Sequence, residues 1–124
     1  MLKNLLLVAL GGGIGSALRY LTSLWSLKHF SSGFLLGTFL VNIIGCFLIG
    51  LLIGLSSRFN IINNEFRLLL IVGFCGGYTT FSTFSLENLK LFEAGNYGIL
   101  ALYIGASVLL GFIAVWGGIL SSKT

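Results

Sequence analysis

The chain has 124 residues, is 56% hydrophobic and 8% charged, contains no proline, and has a mean hydropathy of +1.05. Too few polar residues are present to cover a water-soluble surface, so the composition excludes a soluble domain and demands a membrane protein. The net charge of +4 is spread over basic residues near span ends, which fits anionic lipid headgroups and not nucleic acid.

Four stretches carry no Asp, Glu, Lys or Arg: 4–18, 30–57, 68–86 and 94–122. A helical crossing needs about 20 such residues, so four spans are predicted near 4–27, 33–56, 66–92 and 97–120, forming one membrane domain over residues 1–124. The first, opening MLKNLLLVAL, has the basic and apolar look of a signal peptide. It runs into GGGIGSALRY without a small-residue cleavage site and reads as an uncleaved span. Arg19 lies within that span or near its far end. It either snorkels to the headgroups or places a fixed positive charge at a pore mouth.

His29, the single histidine, stands in the first loop; no Cys/His spacing fits a metal site and no nucleophile–histidine–acid set exists, so an enzyme is not expected. In the second span, Thr38 and Asn42 stand four apart on one helical face. Asn42 either stitches two helices together or offers its NH2 hydrogens to an anion shedding water. Cys46 and Cys75 fall in apolar spans and read as small buried hydrophobes. Glycine pairs four apart, such as Gly11 with Gly15, Gly50 with Gly54 and Gly73 with Gly77, predict close helix packing.

The third span carries the oddest stretch, GGYTTFSTFSLE. Two adjacent glycines favour helix poorly, and Thr79, Thr80, Ser82, Thr83 and Ser85 compete for backbone hydrogen bonds, so a helix break is predicted near 76–80. Irregular backbone at that depth is tolerated where protein buries it or where it lines a cavity. Freed carbonyls there suit a small cation, and the restarted half-helix turns its positive end toward an anion. A plain kink, with the hydroxyls bonded back to their own helix, is the alternative. Phe81 and Phe84 share a face beside the hydroxyls. Phenylalanine normally packs against lipid or helix, but the positive edge of its ring can also receive an anion without a formal charge. Glu87 reads as a solvated helix-end acid or a vestibule residue. In the fourth span Tyr103 and Ser107 repeat the four-residue spacing with hydroxyl donors.

With four spans the termini share a side. Lys3, Arg58, Arg67 and Lys123 then face one compartment and Arg19, Lys28 and Lys90 the other, four against three. So small a bias leaves orientation open between dual topology and a single orientation set by an early residue such as Lys3. Four helices alone also pack their interior with side chains, so a transport path calls for a second subunit.

Three stretches together, GGGIGSALRY, GTFLVNIIGCFLIG and GFCGGYTTFSTFSLE, resemble the Fluc (CrcB-type) family of small fluoride channels over essentially the whole chain. The resemblance implies an all-α protein with its third helix broken mid-membrane, an antiparallel dual-topology homodimer in the inner or plasma membrane of a bacterium. The implied activity is passive fluoride export, which protects the cell from fluoride toxicity. Carried over by motif, Asn42, Phe81 and Phe84 would contact fluoride. Thr38, Ser82, Thr83, Ser85, Tyr103 and Ser107 would line the path, with Arg19 and Glu87 in the vestibule. The family's structural sodium at the dimer centre would meet backbone carbonyls at Gly76 and Thr79. Ser16 and Cys46 stand where Ala and Ser are more usual in the family, which bears on helix packing. Composition and spacing alone reach only an anion path in an oligomer.

Three other functions compete. A small dual-topology drug exporter and a fluoride/proton exchanger each need a titratable group in the path, and only Glu87 is on offer. A non-transporting scaffold would leave the phenylalanines and hydroxyls without a role.

Overall fold

A computed structural model describes residues 1–60 and 63–123, and the described residues form helices joined by short turns, without strands. Four helices have membrane-spanning length and hydropathy: α1 (Leu2–His29), α2 (Gly33–Phe59), α3 (Asn64–Glu93) and α4 (Tyr97–Ser121). The charge-free runs explain their lengths, and the helices extend a residue or more beyond most ends of those runs because polar flanking residues complete the final turns. Loop chemistry sets the ends. Asn60 closes α2 in the left-handed conformation that asparagine tolerates, and Asn63 caps α3 by accepting from the Phe66 N–H. Gly95, with φ of 77°, makes the tight turn into α4.

Without a hydrophobic drive between helices in lipid, packing depends on how closely backbones approach. The helices pack as two tight pairs, α1 on the first part of α3 and α2 on α4, with α1 and α2 in contact between them. Glycine permits both pairings. A methyl group at Gly15 would overlap the Phe74 carbonyl, and one at Gly118 would overlap the Phe47 carbonyl. The four-residue glycine spacing is thus used as the sequence suggests.

Two polar ties close the end of the bundle that holds the termini. Lys3 pairs with Glu65 at 2.6 Å, and Arg58 donates to the Ser122 carbonyl at 2.8 Å.

The third span is broken. Its first arm, residues 64–78, includes wide π-helical turns over Arg67–Cys75 and ends in the turn Gly76–Tyr78. Thr79 and Thr80 are extended, and the second arm runs over Phe81–Glu93. The break lies midway along the span, slightly later than the glycines themselves. Gly76 and Gly77 stay helical, because Gly77 packs on the backbone of Gly12, where a side chain has no room. Thr80 supplies the signal for the restart: its hydroxyl accepts from the Thr83 N–H at 3.2 Å, an N-cap in the middle of the span.

Candidate functional site

An extended pair of residues inside a membrane leaves backbone groups without helical partners, and each orphan costs several kcal/mol in hydrocarbon on the order given by transfer data. The neighbours of the break supply the missing bonds. The Thr80 N–H, which in a continuous helix would meet the Gly76 carbonyl, donates instead to Asn42 Oδ1 at 2.8 Å. Asn42 Nδ2 donates back to the Thr80 carbonyl at 3.1 Å. One amide from α2 thus takes both polar groups of one peptide residue. An amide nitrogen carries two hydrogens, so one of them stays available beside the break.

On the other side the Gly77 carbonyl accepts from Arg19 Nε at 3.0 Å, with Ser16 Oγ at 3.5 Å. Arg19 is ten residues short of the end of α1, roughly 15 Å at 1.5 Å per residue, so it reaches the break and does not snorkel to the span end. Ser16, Arg19, Ser23, Thr38, Thr80 and Thr83, with Tyr20 and Val41, line a cavity of about 260 Å³. A guanidinium among five serine and threonine hydroxyls suits an anion.

Thr79 sends its hydroxyl back to the Cys75 carbonyl at 2.9 Å, as the plain-kink reading requires, whereas Thr80 caps the second arm. The hydroxyls therefore do more than bend a helix. Ser82 and Ser85 are exposed on the second arm, and Thr83 is half-buried. Phe81, Phe84 and Tyr103 form a chain of rings with centroids 6.1 Å and 5.1 Å apart. Phe81 is 79% exposed although it sits mid-span. It borders an outward-facing groove of about 470 Å³ shared with Asn42, Cys75, Gly76, Thr79 and Thr80.

Glu87 corrects one of its two readings, that of a solvated helix-end acid. It is buried, at 7% exposure, and its two carboxyl oxygens accept from Thr38 Oγ1 and Tyr103 Oη at 2.7 Å each. The physical reason is that α2 and α4 both bring a hydroxyl donor to the same face of the second arm. Three candidate residues from three spans meet there. Ser107 does not join them; its hydroxyl is buried without a hydrogen-bond partner among the described residues.

Sequence reasoning left Ser16, Ser23 and Thr80 out of the site. The first two share a face with Arg19 by their three- and four-residue spacing, a pattern open to reading in advance. Thr80 had no local signal that separated it from the neighbouring hydroxyls.

Comparison with known proteins agrees with this architecture. Residues 6–119 match the family described as CrcB-like protein, Camphor Resistance (CrcB). A protein of Phocaeicola vulgatus named fluoride-specific ion channel FluC is 50% identical over 122 residues, covering 98% of this chain and 100% of its own length. A protein of the same name from Azobacteroides pseudotrichonymphae is 50% identical over 115 residues, covering 93% and 92%. One from Agrobacterium fabrum is 48% identical over 116 residues, covering 94% and 93%. With the match running through all four spans and across the break, the chain belongs to the CrcB-like family.

Proposed function

We propose that the chain forms a fluoride-selective channel of the bacterial cell membrane that lets fluoride leave the cell passively, down its electrochemical gradient, and so protects against fluoride toxicity. The observation that carries this reading is the break in α3, held by Asn42 and Arg19 and opening onto a cavity of hydroxyl and guanidinium donors. Neutral donors and a helix N-terminus attract an anion without the tight capture that would slow its release. Relatives that share about half of their residues carry the name of a fluoride-specific ion channel. Phe81 and Phe84 would present ring edges to the ion, with Thr38, Ser82, Thr83, Ser85, Tyr103 and Ser107 extending the polar track.

The channel would be an antiparallel, dual-topology homodimer. Supporting this, Phe81 and the groove bounded by Asn42, Gly76 and Thr79 face outward from the four-helix unit, so a second copy is needed to wall the path. A structural sodium at the dimer centre also fits the residues present. The Gly76 carbonyl loses its helical donor to Asn42, no neighbouring atom crowds Gly76, and hard cations take oxygen ligands of this kind. Gly76 and Thr79 would hold the ion, which would pin the break and the two copies together and is not cargo.

The decisive test is efflux from liposomes reconstituted with this chain alone, with a potassium–valinomycin shunt and without a proton gradient. Rapid fluoride release with chloride retained is the expected result. Release of both ions at equal rates, or of fluoride only when protons are countertransported, would refute a selective passive channel.

A further inference from the structure

The first arm of α3 ends on a residue that none of the pore assignments uses. Tyr78, only 7% exposed, immediately precedes the extended pair Thr79 and Thr80. Its ring stacks on Phe74, with centroids 5.9 Å apart and planes 12° from parallel. Its hydroxyl lies 3.1 Å from Thr22 Oγ1 on α1. The direction of that bond follows from hydroxyl bookkeeping. Thr22 has one hydrogen and gives it to the Leu18 carbonyl at 2.9 Å, so Tyr78 is the donor and Thr22 the acceptor. The pair borders a groove walled by Leu18, Leu21, Leu40, Ile44 and Trp25.

We infer that Tyr78 is a positioning residue for the break: through Thr22 it anchors the end of the first arm to α1, and so fixes where Thr79 and Thr80 leave the helix. Register supports this. Arg19 and Thr22 are three apart on α1 and take hold of consecutive residues, Gly77 and Tyr78, while Asn42 on α2 takes Thr80, two residues on. The break is therefore gripped just before its extended pair and at the second residue of the pair, from different spans. Removing the Tyr78 hydroxyl frees the upstream side to rotate about the bonds of Thr79 without touching any residue placed in the ion path. The consequence for conduction rests on the channel reading, whereas the consequence for the backbone does not.

The experiment uses the full-length protein reconstituted in liposomes and in detergent, with variants Tyr78→Phe, Thr22→Val, Thr22→Ser and the double variant Tyr78→Phe/Thr22→Val. Phe and Val keep shape and lose the bond; Ser keeps the acceptor. Hydrogen exchange at residues 79–83 should rise by about three- to eighteenfold in Tyr78→Phe and Thr22→Val, the range of one intramembrane side-chain hydrogen bond. It should rise no further in the double variant and stay near the parent value in Thr22→Ser. Fluoride release should fall by a similar factor in the same variants, with oligomer size and melting temperature unchanged. Exchange that is unaltered in both Tyr78→Phe and Thr22→Val, or effects that simply add in the double variant, would overturn the inference even if the chain conducts fluoride. Raised exchange in Tyr78→Phe and Thr22→Val, together with a parent protein that releases no fluoride, would instead remove the channel reading and leave Tyr78 as the anchor of the break. Should Tyr78→Phe fail to fold, Thr22→Val against Thr22→Ser decides alone.

Discussion

Replacing Asn42 by alanine removes two hydrogen bonds at once, 2.8 Å and 3.1 Å long, and strands the N–H of Thr80 in the middle of the span, whereas the Thr80 carbonyl, at the N-cap, still heads the second arm. Intramembrane side-chain hydrogen bonds average about 0.6 kcal/mol and reach about 1.7 kcal/mol, so the pair is worth roughly 1–3 kcal/mol. That corresponds to a shift of about five- to 150-fold in the population holding the break as observed, at about 1.4 kcal/mol per factor of ten. The variant is thus expected to lower fluoride efflux from liposomes by at least fivefold. Asn42→Asp should be worse, because a carboxylate has no hydrogen for the Thr80 carbonyl and places negative charge beside the path. Efflux is measured with a fluoride electrode, alongside the melting temperature of the purified oligomer. If Asn42→Ala conducts at the parent rate and still retains chloride, the break does not depend on the clamp, and Asn42 merely stitches α2 to α3.

Three further outcomes are expected. Phe81→Ile and Phe84→Ile should each cut fluoride efflux by about tenfold or more while gel filtration shows an unchanged oligomer, since a branched aliphatic chain has no positive edge for an anion; full flux in both would remove the ring-edge role. Glu87→Leu leaves the hydroxyls of Thr38 and Tyr103 without their acceptor and should destabilise by about 1–3 kcal/mol, read as a lower melting temperature. Glu87→Gln keeps an acceptor and should retain passive efflux within about tenfold, so its complete loss would favour proton-coupled exchange. Gly118→Ala should cost about 1–3 kcal/mol of stability through overlap with the Phe47 carbonyl. At Gly111 the added methyl would sit an ordinary 3.6 Å from Cys46 Sγ and be tolerated, and equal melting of the two variants would contradict the packing described for α2 and α4.

The four spans were legible because charge is so costly in lipid that its absence over some 20 residues leaves few alternatives. The break was legible from glycines and competing hydroxyls, and it falls at Thr79–Thr80, the end of the predicted stretch 76–80. The glycines there serve packing: Gly77 admits α1, and the N-cap hydroxyl of Thr80 determines where helix resumes. The burial of Glu87 was not legible because its partners stand 49 and 16 residues away, a separation that no local pattern encodes. Tyr78 escaped notice for the same reason, since a tyrosine in an apolar run looks like core until Thr22 appears opposite its hydroxyl 56 residues earlier. What the sequence displays well is the cost of local choices. What it conceals is which distant side chain meets that cost.

The placement of Arg19 bears on how such a site can be both attractive and fast. A free guanidinium facing an anion in a low-dielectric cavity would hold it strongly, because charge-assisted hydrogen bonds are about twice as strong as neutral ones. Here Nε is committed to the Gly77 carbonyl, so part of the guanidinium's hydrogen-bonding capacity is spent on backbone, while its charge still raises the potential of the hydroxyl-lined cavity. The strongest electrostatic group thus acts as a structural strut of the break and as a source of field. In the proposed channel, close contact with the ion would be left to donors that carry no net charge: the spare hydrogen of Asn42, the hydroxyls and the ring edges. Arg19→Lys separates the two roles. Lysine keeps the charge but replaces the planar fork with a point donor on a flexible stem, so loss of conduction in Arg19→Lys would mark the strut as the dominant role. Retention there, with loss in Arg19→Gln, would mark the field.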